Sequence, residues 1–237
     1  MRIKSLFIIM SLLALPAAAQ ATPCCFFETQ EFRFCGIPNF TETLTFNQFD
    51  DMGGTRTLHS IEVYLELNVD HGTFILDNDG ELPASGTFEF GAKGSLSSMD
   101  VDLLDISMQP VISEVQSLHS QAFSLEGNIG DGQFDFDPAA PDGLEYNGTL
   151  VSNWESGYIN PTLFSQYIGT GTFDLDVFVK QWSEFGGVSG IEWAVTPVDA
   201  CGRAIVEYCY TPEPSTIAAL ALGAIFLRRR RSSIKKC

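Results

Sequence analysis

The chain has 237 residues, with 13 lysines and arginines against 30 aspartates and glutamates, for a formal charge of −17. Eight of the bases sit in the two ends, so residues 22–211 hold five bases against 29 acids, a net of −24. Such a body repels phosphate backbones, which excludes nucleic acid as a partner; its acids are interleaved with Phe, Val, Ile and Leu, which excludes a disordered chain.

Residues 1–21 read as a secretory signal peptide. Arg2 and Lys4 form a basic start, Leu6 to Leu15 an apolar run, and Pro16 breaks it before Ala17-Ala18-Ala19-Gln20-Ala21. The small residues allow cleavage by signal peptidase after Ala19 or Ala21. The apolar run is short for a membrane anchor. Pro23 before Cys24 disfavours a lipoprotein site, where a small residue is wanted.

Residues 22–211 alternate with period two, the pattern of half-buried antiparallel strands. Ile61, Val63, Leu65, Leu67 and Val69 share one face, opposite Glu62 and Glu66. Phe88 and Phe90, Phe123 and Leu125, and Phe134 and Phe136 are shorter pieces of the same pattern. Phe173, Leu175, Val177 and Val179 repeat it, as do Ala204, Val206, Tyr208 and Tyr210. Turn chemistry separates these runs at Gly53-Gly54, Asn78-Asp79-Gly80, Asp131-Gly132, Pro141-Asp142-Gly143 and Asn147-Gly148. Residues 96–118 fit a strand or one short helix, and Pro110 argues against a continuous element. The reading is all-β: a single antiparallel β-sandwich or jelly-roll-like domain, flanked by the signal peptide and a short C-terminal membrane helix.

The C-terminal segment, 212–237, starts with Pro212-Glu213-Pro214. An apolar run, 217–227, follows, and then Arg228, Arg229, Arg230 and Arg231. Eleven residues make about 16 Å of helix against roughly 30 Å of hydrocarbon, a deficit that a helix built back through Pro214 and snorkelling arginines reduce. The arginines keep their end cytoplasmic and the acidic body outside. Four consecutive arginines disfavour the competing reading, a buried core helix.

These three parts in this order resemble the PEP-CTERM sorting signal. The resemblance covers about the last 26 residues, with an apolar segment on the short side and Ser232 to Cys237 extending past the arginines. It implies an exported bacterial protein whose precursor sits in the inner membrane by its C-terminal helix. It also implies recognition at Pro-Glu-Pro by exosortase, a membrane processing enzyme, and a mature body at the cell surface or in the medium. The body resembles the choice-of-anchor E domain through Leu44-Thr-Phe-Asn-Gln-Phe-Asp50, Gly53 and Leu58-His-Ser-Ile-Glu-Val63. Tyr167-Ile-Gly-Thr-Gly-Thr-Phe173 and Ile205-Val-Glu-Tyr-Cys-Tyr210 resemble that family's closing strands. The Pro that usually follows Phe-Asp is missing, and extra residues lie around Met52 to Arg56. This second resemblance implies an extracytoplasmic β domain and no particular activity.

Cys24, Cys25, Cys35, Cys201 and Cys209 cluster at the two ends of the body, while Cys237 falls in the tail. In an oxidising compartment they are candidates for one or two disulfides tying 24–35 to 201–209. Adjacent Cys24 and Cys25 do not bond to each other without distortion, and five is odd, so one thiol is free or pairs between chains. Their spacing matches no zinc finger or ribbon.

Catalytic patterns are missing: no Gly-x-Ser-x-Gly, His-Glu-x-x-His or P-loop occurs. His59, His71 and His119 stand apart and read as core or surface residues. With 29 acids, a glycosidase-like carboxylate pair carries no weight. No cofactor is expected except calcium, whose candidates Asp77, Asp79, Asp131, Asp135 and Asp137 put oxygens on turns. Asx turns and solvated charge are the competing reading, and the EF-hand template fails at Ile75 and Gly86. The expected function is a non-catalytic surface or extracellular-matrix protein. The alternatives are a carbohydrate- or ice-binding-like module, with extracellular polysaccharide as partner and Trp154, Tyr158, Trp182 and Trp193 as candidate contacts, and, third, a secreted hydrolase.

Overall fold

A computed structural model describes residues 25–128, 136–187 and 189–213. The apolar runs of the signal peptide and of 217–227, the four arginines, Pro214, Cys24, Asp131 and Asp135 lie outside them. Among the described residues, eleven strands pair antiparallel, in two four-stranded sheets and one three-stranded sheet. The fold is a β-sandwich, as the alternation predicts.

The first sheet orders β1 (Phe26–Gly36), β11 (Asp199–Pro212), β3 (Arg56–Asp70) and β8 (Val151–Tyr158). The second orders β2 (Phe40–Asn47), β9 (Thr172–Phe185), β5 (Ala84–Ser97) and β6 (Val115–Leu125). The small third sheet orders β10 (Ile191–Val195), β4 (Thr73–Asn78) and β7 (Gly143–Asn147). Because side chains alternate across a strand, the first sheet turns Ile61, Val63, Leu65, Leu67, Ala204 and Val206 inward, all fully buried. The second answers with Phe46, Phe90, Phe173, Leu175 and Val177. Tyr208 joins the layers, its hydroxyl donating to the Asn47 carbonyl at 3.0 Å, and so does Ser117, donating to the Leu67 carbonyl at 2.7 Å.

The small sheet closes one end through Phe74. Its ring stacks on Phe88 at 4.3 Å and on Trp193 at 5.4 Å. The chain reaches this sheet by a corner at His71-Gly72, both with positive φ (61° and 79°). A Cβ on Gly72 would lie 2.6 Å from Val198, so both the backbone angle and the space require glycine there.

Two elements differ from the sequence expectation. Residues 98–114 form neither a long strand nor a helix. They make turns closed by a Leu104–Pro110 bridge, with Val101 and Ile112 buried, and β6 starts only at Val115. β1 alternates only over Phe32-Arg33-Phe34, because it is an edge strand: Phe34 is buried, while Phe26, Phe27 and Phe32 are exposed. Eleven rungs of pairing with β11 hold it instead.

Candidate functional site

The sorting motif is rooted in the sandwich. β11 runs through Pro212, opposite Arg56 of β3, and the Glu213 N–H donates to the Thr55 carbonyl at 2.8 Å. Arg56 locks this strand end. Its guanidinium lies 3.8 Å from the Tyr210 ring and 4.4 Å from Phe49, pairs with Glu28 at 2.7 Å, and donates to the Asp50 carbonyl at 2.8 Å. His59 Nε2 lies 2.7 Å from the Thr211 hydroxyl. Pro212 is therefore the last residue of β11, Glu213 is hydrogen-bonded just beyond it, and the rest of the motif lies outside the described residues.

Two disulfides staple the same pair of strands. Cys35 joins Cys201, its direct cross-strand partner, and Cys25 joins Cys209, which is three residues before Pro212.

The turns singled out for calcium are brought together in part. Asp77 is buried, and its Oδ2 accepts the Asp137 N–H at 2.9 Å. Asp137 Oδ1 closes an Asx turn on the Ala139 N–H at 3.0 Å, and Asp79 follows β4 in its own turn. Among the described residues no group of three His, Cys, Asp or Glu gathers in a metal-holding cluster.

The histidines separate by environment. His71 is exposed, with Nδ1 at 3.2 Å from Asp199. His119 is buried against Phe90, with ring centroids 4.7 Å apart, and its Nε2 has no hydrogen-bond partner among the described residues. Burial lowers its pKa from 6.5, against a smaller opposing pull from Asp70. The unfolded chain thus takes up a proton that the folded one refuses. Stability is full above pH 6.5 and falls as pH drops through that value. His119→Leu should flatten this loss between pH 7.5 and 5.5 in urea titrations. Equal losses in the two proteins would rule out His119 as the source.

The candidate aromatics differ in exposure and in what they touch. Lys93 Nζ covers the Trp182 ring at 3.3 Å, and the indole nitrogen is buried. Trp193 is 43 % exposed, with its ring stacked on Phe74 at 5.4 Å. Trp154 and Tyr158, on the outer face of β8, are 58 % and 60 % exposed. Periodicity alone does not rank them, because burial depends on what crosses each face.

No curated protein sequence matches the chain. The solved structures it is similar to include one of infectious bursal disease virus Gx strain, at 11% identity and TM-score 0.16, covering 90% of this chain and 49% of that one. The VP2 subviral particle of the same virus gives 11% identity and TM-score 0.16, over 97% and 55%. The chain thus spans about half the length of these structures. Residues 211–232 match the family of the PEP-CTERM protein-sorting motif. The chain carries that motif on the end of its last strand, the mark of an exported protein processed by an exosortase.

Proposed function

We propose that the protein is a non-catalytic component of the cell surface or extracellular matrix: signal peptidase removes the N-terminal segment and exosortase the C-terminal one. The observation that carries this reading is the match of residues 211–232 to the sorting motif. A disulfide-stapled, acidic sandwich supports it, since such a body tolerates an oxidising exterior and stays soluble there. Fractionation and intact-mass analysis of the native protein test it. The expected mass lacks both ends, and a strain without exosortase keeps the tail. A body that keeps its tail in the wild type, or loses it equally without exosortase, would overturn the reading.

A carbohydrate-binding module is the second reading. The exposure of Trp154 and Tyr158 on one strand favours it, because solvent-exposed aromatic rings offer an apolar face to a pyranose ring.

A further inference from the structure

The outer face of the first sheet is a grid set by strand register. Thr29, Glu207, Glu62 and Tyr158 form one cross-strand row, and Glu31, Ile205, Tyr64 and Ser156 the next. Arg33, Arg203, Glu66 and Trp154 form the third. The aromatics gather at the β8 side, with Trp154 stacked on Tyr64 at 5.4 Å and 26°. Trp154 and Tyr158 are four residues apart on one strand, so their Cα atoms are separated by about 13 Å. That span seats more than one sugar ring.

The polar groups around these rings are held in place. Glu66 accepts from Arg203 at 2.8 Å, Asn68 at 3.0 Å and Tyr64 at 3.3 Å. Glu62 accepts from Ser156 at 2.8 Å. Tyr158 leads into a cleft of about 490 Å³ whose walls include His59, Ser60, Asp105, Ile106 and Ser156. The free side of β8 is not bare, since the Asn153 amide donates to the Gln116 carbonyl of β6 at 2.9 Å. This disfavours strand addition by another chain.

We propose that Trp154, Tyr64 and Tyr158, with Glu62, Glu66 and the adjoining cleft, form a binding site for a neutral polysaccharide. The rings take the apolar faces of the sugars. The fixed carboxylates, amide and hydroxyls take their hydroxyl groups. Charge selects among glycans: a body of net −24 with glutamates beside the rings repels uronate and sulfate polymers. The proposal rests on the carbohydrate-binding reading above and assigns its site.

The test is retention of the native exported protein on insoluble neutral glucans, with alginate as the anionic control. We expect retention on neutral glucan, little on alginate, and at least tenfold weaker binding for Trp154→Ala and for Tyr158→Ala. Trp154→Phe should restore part of the binding, and Trp193→Ala should leave it unchanged. Matched melting temperatures show that the variants fold. Wild-type retention that survives both alanine variants overturns the site and leaves the carbohydrate-binding reading standing. No wild-type retention on any neutral glycan of a broad array overturns the reading and the site together. Concentration-dependent self-association abolished by Trp154→Ala, without glycan binding, assigns the face to a second copy and also overturns the proposal.

Discussion

Replacing Cys25 and Cys209 by serine is expected to lower the unfolding free energy by about 3 kcal/mol, and replacing all four bonded cysteines by about 8 kcal/mol. The difference follows from nesting. The bridges span 184 and 166 residues, and either one alone closes a loop for which the chain-entropy treatment gives about 5 kcal/mol. Once one is closed, the other completes a ring of only about twenty residues and adds about 3 kcal/mol. At about 2–4 °C per kcal/mol for a domain of this size, one bridge corresponds to roughly 6–12 °C in Tm. Urea and thermal unfolding of the single-bridge and double-bridge variants measure this. A double variant no less stable than the single ones would show that the bridges follow the fold without stabilising it. Cys25–Cys209 also ties down β11 three residues before Pro212.

Phe74→Ala should cost about 3–5 kcal/mol, the range for deleting a fully buried ring without collapse of the site. Collapse is hindered here because three other rings frame the cavity: Phe88 at 4.3 Å, Trp193 at 5.4 Å and Phe90 at 5.8 Å. The small sheet packs on the second sheet through this stack, so amide exchange should rise first in β10, β4 and β7. Trp193→Ala, at a side chain 43 % exposed, should cost clearly less. Equal losses for the two variants would place the anchor of the small sheet elsewhere.

Strands with one buried face were legible in the sequence, because burial on one side imposes alternation on the residues themselves: β3, β9 and β11 are the cases. β1 and β8 were not: β1 is an edge strand held by pairing and disulfides to β11 with Phe34 its one buried residue, and β8 has no buried residue at all. The segment before β6 misled for the opposite reason. Val101 and Ile112 are buried from turns, where burial carries no period.

By itself the sequence determined the class of fold and the presence of a sorting motif, since both rest on local features: alternation, turn residues, and Pro-Glu-Pro followed by an apolar run and arginines. Only the tertiary structure decided which cysteines bond and that the motif begins inside the sheet. It also decided which of four candidate aromatics are the most exposed. Each of those depends on register across strands far apart in sequence, such as Cys35 opposite Cys201 and Trp154 opposite Glu66. Register is set by the pairing of whole strands, and no local window of sequence contains it.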